Sequence, residues 1–324
     1  MKPGFARRWV GPGIGVLLLA YLIWRMPWLE VLKTLAQVRL AWWILALGMS
    51  GFGIGLRSLR LHWVLGTQGS LFNVWRSVSL GSLAGLVLPA GGGEMVKLRV
   101  LMKSQGLNLL HAGAGVGLDR VLDLTGLVFG LALLSGLQGL PGSVGILLRG
   151  LGVLLVIGGI FLLLSLSRGR AVLARLSSRV GHLPWLAKRI EELWRVVDEA
   201  EHLRQTRTWV RLLLFQAFIT SFEVLATSIG LKALPLTVLL PGWAGLQVLM
   251  FSTIGFALPL LPGAAGSLQV AYIAALRPWG VTIPQALAFS LLAHLGLLLV
   301  FLGHGGAALL LHAETRSSGE AGLS

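Results

Sequence analysis

Glu94 and Lys97 stand three residues apart directly behind the glycines Gly91, Gly92 and Gly93, and Arg99 and Lys103 follow within three turns. An acid and a base at that spacing share one helix face and can pair. Backbone N–H groups at a helix start, together with basic side chains, suit a phosphate or another anion, with the acid ordering the lysine. The plainer account is a capped helix start with an exposed ion pair and ordinary flanking positives. Both accounts stay open at this point. Asp119, Arg120 and Asp123 form a second constellation. Arg120 and Asp123 can pair on one face, while Asp119 and Asp123 lie four apart on a neighbouring stripe. Two carboxylates can help hold a divalent metal that bridges a phosphate. That chemistry normally calls for more carboxylates, and none accompany these, so structural or cavity-lining pairing is the better account.

Gln216, Thr220, Glu223 and Thr227 fall at i, i+4, i+7 and i+11, one polar stripe along an otherwise apolar helix. Such a stripe must face protein or water rather than lipid. It reads either as cavity lining around Glu223 or as interhelical hydrogen bonding around a protonated Glu223. His294, His304 and His312 are ten and eight residues apart and offer no i,i+4 metal pair. Asn73 and Arg76 read as inward-facing polar groups or as an interfacial cap. No nucleophile elbow, zinc-protease helix or complete phosphate-binding loop is present. Gly113-Ala-Gly115-Val-Gly117 has no preceding strand and reads as helix packing. Cysteine is absent, which removes disulfides, thiolate nucleophiles and iron–sulfur clusters. The expectation is a protein with no catalytic residues, no metal and no cofactor.

These polar groups are set in a chain whose composition is that of a membrane protein. Of 324 residues 55% are hydrophobic and 12% charged, against about 25% charged in soluble domains. Its mean hydropathy is +0.82. Glycine (44) and tryptophan (12) suit close helix crossings and the headgroup level respectively. Apolar runs able to cross about 30 Å of hydrocarbon lie near 10–26, 40–57, 71–90, 110–136, 143–166, 209–231, 242–260 and 283–311, with a shorter piece at 267–276. The first run lacks a small-residue cleavage site and reads as an uncleaved helix. Residues 167–208 are basic, with leucine, isoleucine and valine at helical spacing, as in an amphipathic linker on the membrane surface. The expected organisation is one transmembrane domain over 1–324: a first half at 10–166, the linker at 167–208, a second half at 209–312 and a flexible tail at 313–324. The net charge of +15 sits mainly between apolar runs, so it reports membrane orientation rather than nucleic-acid binding. The linker basics predict a cytoplasmic 167–208 loop, and Lys2, Arg7, Arg8, Arg57 and Arg60 predict that the N-terminus and the loop after the second helix are cytoplasmic too.

The pattern S-x-x-G-x-x-L-P occurs twice, at Ser82–Pro89 and at Ser252–Pro259, 170 residues apart. Each copy runs into helix-breaking backbone: Gly91, Gly92 and Gly93 after Pro89, and Pro262, Gly263 and Gly266 after Pro259. Freed backbone groups cannot face lipid and must be buried in protein or line a wet cavity. The expected fold is therefore an all-α polytopic membrane protein with about 6–8 membrane segments, including two broken or re-entrant helices in a pseudo-repeat, inverted as in secondary transporters.

At these residues the chain resembles the lysylphosphatidylglycerol synthase transmembrane-domain family, also called the flippase-like domain family. The family's Pro-Gly-x-x-Gly-Glu-x-x-Arg stretch is similar to Pro89-Ala-Gly-Gly-Gly-Glu94-Met-Val-Lys97, and its acidic-Arg-x-x-Asp element to Asp119-Arg120-Val-Leu-Asp123. Its late Pro-Gly-Gly-x-Gly-x-x-Glu stretch is similar to Pro262-Gly263-Ala-Ala-Gly266-Ser-Leu-Gln269, and Arg60 with Trp63 resembles its Arg-x-x-Trp turn. The resemblance spans roughly residues 10–311. Gln269 stands where the family has a glutamate, and His294 aligns with its downstream arginine, so an ion pair is exchanged for a neutral or pH-sensitive one. Lys97 for arginine keeps the charge and loses the bidentate fork. The resemblance implies a multi-pass protein of a prokaryotic cytoplasmic membrane. It implies binding or translocation of a lipid with a polar or anionic headgroup, a phospholipid or a polyprenyl-linked one. The headgroup residues would be Glu94, Lys97, Arg99, Asp119, Arg120, Asp123, Glu223, Gln269 and His294. The expected partners are membrane lipids, with a cell-envelope or lipid-modifying enzyme as a further one, and no nucleic acid. The soluble aminoacyl-transferase domain of full synthases is not in this sequence. A membrane glycosyl or phosphoglycosyl transferase using Asp119 and Asp123, and a non-catalytic partner of an envelope enzyme, are the alternatives.

Overall fold

The computed structural model describes residues 24, 27–66, 69–88, 91–138, 205–257 and 262–321. The apolar runs at 10–26 and 143–166, most of the 167–208 linker, and Pro89 and Pro259 lie outside the described residues. Among the described residues the chain is all-α, with nine α-helices: α1 Trp28–Leu35, α2 Leu40–Val64, α3 Leu71–Val87, α4 Gly92–Gln105, α5 Leu109–Gln138, α6 Thr206–Leu231, α7 Ala244–Ala257, α8 Ser267–Leu276 and α9 Ile283–Ala321. Four are long and apolar enough to cross a bilayer: α2, α5, α6 and the Ile283–Leu311 part of α9. At 1.5 Å per residue, the 25 residues of α2 reach about 37 Å. Their surfaces carry bare apolar side chains, such as Leu214 at 67% and Leu310 at 70% exposure. Lipid, not water, is the solvent that tolerates them. This is an all-α polytopic membrane protein.

The chain divides into two compact units, one of Met1–Gly55, Arg76–Lys97 and Ser221–Ser324, the other of Leu56–Trp75 and Leu98–Thr220. Each draws on segments from both sides of the linker. In the first unit, Val31 of α1, Leu231, Val248, Ala275, Leu276 and Phe289 share one apolar core. Tyr272 meets Phe289 edge-on at 5.5 Å. Buried polar groups inside this core find partners, as a low-dielectric interior requires. The Gln247 amide donates to the Ala275 carbonyl at 2.8 Å, and the Trp43 indole N–H donates to the Leu292 carbonyl at 3.3 Å.

Both copies of the repeated pattern end in a helix interruption followed by a second helix. α3 stops at Val87, Gly91 takes φ +85°, and α4 starts at Gly92. α7 stops at Ala257, and a turn carrying Gly263, Ala264 and Gly266 at φ +66°, +57° and +83° leads into α8. Ala264 is the only non-glycine residue with positive φ among the described residues. That conformation costs an L-residue roughly 1–2 kcal/mol and persists only where surrounding structure imposes it. Glycine lets backbone touch backbone in both copies. A β-carbon on Gly93 would lie 2.5 Å from the Gly81 carbonyl and 3.1 Å from the Gly85 α-carbon. One on Gly255 would lie 3.0 Å from the Ser267 carbonyl and 2.7 Å from the Ala271 β-carbon. Gly92 and Gly93 are thus helical residues in the first turn of α4; the interruption itself falls ahead of them.

Neither Arg57 nor Arg60 lies in a loop after the second helix. α2 runs on to Val64, and Arg60 is fully buried within it. It therefore drops out of the count of loop positives that oriented the chain. In the second unit, Asn73 donates to the Ser104 carbonyl at 3.1 Å, so it closes the α3 start onto the α4 end. The α9 backbone is helical as far as Ala321.

Candidate functional site

In the first unit the two interruptions adjoin. A β-carbon on Gly263 would sit 3.5 Å from the carbonyl oxygen of Leu86, in the last turn of α3, and 3.9 Å from Nε2 of His294. The last carbonyls of a helix have no partner within it and carry its negative end. An imidazole nitrogen placed there is the kind of group that can answer them, or answer a ligand that approaches them.

The state of that nitrogen follows from its neighbours. The Gly266 N–H donates to Oε1 of Gln269 at 2.7 Å, which satisfies a donor at the α8 start and fixes which end of the amide is oxygen. Gln269 Nε2 then faces His294 Nδ1 at 3.1 Å. An amide nitrogen only donates, so Nδ1 accepts and a neutral ring carries its proton on Nε2. The side that adjoins Gly263 is consequently an N–H donor. Gln269 itself is buried.

Glu94 and Lys97, also in the first unit, form an ion pair at 3.7 Å. Glu94 occupies the first turn of α4 and Lys103 the last, both in the sense the helix dipole favours. Lys97 is no surface lysine, however: it is 7% exposed, and its stem crosses Gly81, where an added β-carbon would come within 2.9 Å of it. Glu223 is half-buried on α6, and Thr227 donates to its carbonyl at 2.8 Å. His304 lies against Gly51, and the side chain of His312 lies outside the described residues.

In the second unit Arg60 is the hub. Its Nη2 reaches Asp119 Oδ1 at 2.6 Å and Asp123 Oδ1 at 2.9 Å, and its Nε reaches Asp119 Oδ1 at 2.9 Å. Its Nη1 donates to the side-chain oxygen of Gln216. Gln216 in turn donates to Thr220 at 3.2 Å. Close approach of α5 and α6 here depends on Gly126, since a β-carbon there would meet Gln216 Nε2 at 2.4 Å. Desolvating each ion costs several kcal/mol, and only charge-assisted, multiply bonded geometry of this kind offsets it. Arg120 points outward, 53% exposed, and only grazes Asp123 at 3.6 Å. Arg99 is exposed.

The residues expected to meet a headgroup therefore form two sets. Glu94 with Lys97, Gln269 with His294, and Glu223 belong to the first unit; Arg99, Asp119, Arg120 and Asp123 belong to the second, where Arg60 joins the two aspartates. Arg60 was not among the expected site residues. The signal for it was the charge balance: two carboxylates inside one apolar run demand a buried cation.

Ionisable groups held inside apolar helices, as here, mark this as a polytopic membrane protein with polar sites among its helices. More narrowly, the chain belongs to the family described as the lysylphosphatidylglycerol synthase TM region, whose sequence profile matches residues 8–305. That family places it among membrane proteins of lipid modification or flipping. No curated protein matches the sequence.

Proposed function

We propose that this protein binds a lipid with a polar or anionic headgroup, a phospholipid or a polyprenyl-linked lipid, and carries it across a prokaryotic cytoplasmic membrane without chemically changing it. The observation that carries this reading is the proximity of the two helix ends, with Gly263 near the Leu86 carbonyl, beside the Gln269–His294 pair. Unwound backbone at membrane depth is tolerated where it lines a cavity, and paired interruptions in two halves are how transporters build a midplane site. On this reading the α3–α4 and α7–α8 pairs are re-entrant and related as an inverted repeat; the glycine-to-backbone contacts in both pairs support that relation. The N-terminus and the 167–208 loop face the cytoplasm, and a cell-envelope or lipid-modifying enzyme supplies or consumes the lipid.

The geometry also bears on the enzymatic alternative. Asp119 and Asp123, the carboxylates a metal-dependent transferase would need, both grip Arg60. Liposomes containing the purified protein and a fluorescent phospholipid separate the readings. Headgroup transit without a new product is expected. A sugar-transfer product abolished by Asp123→Asn would replace transport with transferase chemistry, and neither transit nor product would leave a non-catalytic partner role.

A further inference from the structure

Within the second unit a groove of about 740 Å³ opens along α6, bounded on one side by Trp63 of α2. Its two ends differ in chemistry. Near the α6 start it is lined by Gln205, Arg207, Thr208 and Arg211; farther along, Leu214, Phe215 and Phe218 take over. Arg207 and Arg211 are four residues apart on one helix face, and like charges at that spacing repel. Arg211 is also held in place: its guanidinium lies over the Trp63 ring, 3.9 Å from the centroid. Stacking on an indole occupies the flat face of a guanidinium and leaves its N–H edge directed sideways, the edge that matches a phosphate.

The walls of the groove are fixed from behind. Trp63 stands one helical turn beyond Arg60, and Phe215 immediately precedes Gln216. The buried Arg60–Gln216 bond thus sets the distance between the two faces, and Trp63 meets Phe215 at 4.6 Å between ring centroids. Phe218 continues the wall, stacked on Phe215 at 6.0 Å. Leu214 and Phe218 are exposed, as are Arg207 and Arg211. α6 is long and apolar enough to cross a bilayer and begins at Thr206, a placement that would set the basic end of the groove at headgroup level and the aromatic end in hydrocarbon.

We infer that this groove is a phospholipid-binding site, with an anionic headgroup phosphate between Arg207 and Arg211 and one acyl chain along Leu214, Phe215 and Phe218. Two cations at one end and an apolar trough at the other match the two ends of such a lipid. A soluble anion would leave the trough unfilled, and an uncharged lipid would leave the arginines facing each other. The site is independent of the transport reading, since it uses none of the residues at the helix interruptions, and either can fail without the other.

The test uses the full chain in phosphatidylcholine vesicles that contain a small fraction of phosphatidylglycerol bearing a diazirine in its acyl chain. After irradiation, labelled peptides are mapped by mass spectrometry. Labelling is expected to concentrate on residues 210–218 and to resist added inorganic phosphate. In Arg207→Gln/Arg211→Gln the half-saturating probe fraction is expected to rise about 30-fold, at roughly a factor of five for each basic residue near an anionic headgroup. Arg207→Gln alone is expected to give about a fivefold rise. Labelling spread evenly over every lipid-facing helix would overturn the site. So would labelling unchanged in a double variant that keeps the wild-type elution profile, equal labelling by a diazirine diacylglycerol, or displacement by inorganic phosphate.

Discussion

A β-carbon added to Gly263 would lie 3.5 Å from the carbonyl oxygen of Leu86, so the turn that follows α7 lies beside the end of α3. Carbonyls at the end of α3 lack helical donors, and in a bilayer no water from the lipid side can supply them. The neighbouring His294 presents Nε2 to the same place. Polar backbone and a fixed N–H donor thus share one locality inside a membrane fold.

The close helix contacts predict which glycines tolerate a methyl group. Gly93→Ala and Gly255→Ala force a β-carbon against backbone oxygen at 2.5 and 3.0 Å, whereas a β-carbon on Gly85 meets nothing within 4 Å. The first two changes are expected to destabilise by about 1–3 kcal/mol, the usual range for overpacking, and Gly85→Ala to be near neutral. Thermal unfolding in detergent checks this; equal stability of Gly85→Ala and Gly93→Ala would refute the contact.

The Arg60 hub predicts a severe and specific loss. Arg60→Met leaves Asp119 buried without its cation, at an expected cost of about 3–5 kcal/mol. Arg60→Lys is expected to recover only part, because a single ammonium cannot serve Asp119, Asp123 and Gln216 together. Removing charge from both sides, as Arg60→Met/Asp119→Leu, is expected to be milder than Arg60→Met alone. A double variant no more stable than the single one in a thermal-shift series would contradict the pairing.

The Gln269 amide predicts the tautomer of His294. Nitrogen-15 spectra of histidine-labelled protein near neutral pH are expected to show the His294 proton on Nε2. Gln269→Ala removes both the Gly266 cap and the partner of Nδ1, and is expected to cost about 0.5–2 kcal/mol, the range for lost helix caps. A proton found on Nδ1 would mean that the amide is turned the other way.

The sequence carried the membrane architecture well, because α2, α5, α6 and α9 are apolar over more than 20 residues and need no partner to be recognised. The helix ends at Val87 and Ala257, just ahead of Pro89 and Pro259, were also legible, since proline acts locally, whereas the clustered Gly92 and Gly93 proved to be helical. Arg60 shows what it could not carry. Hydropathy treats an arginine as the end of a span, with no knowledge of Asp119 and Asp123 some sixty residues on, and only the folded contact reveals the charge as neutralised. The stripe from Gln216 to Thr227 was legible as a stripe, but not that Gln216 would turn to Arg60. The short α1, held by Val31 in the core, offers too few residues for a periodic signal.

The most direct measurement is transit of fluorescent phosphatidylglycerol across proteoliposome membranes, comparing the wild type with Glu94→Gln/Lys97→Met. Methionine keeps the stem that crosses Gly81, so the variant is expected to fold and elute as the wild type does, while headgroup transit falls to the level of empty liposomes. Transit at the wild-type rate in a well-folded double variant would contradict a headgroup site at the helix interruptions.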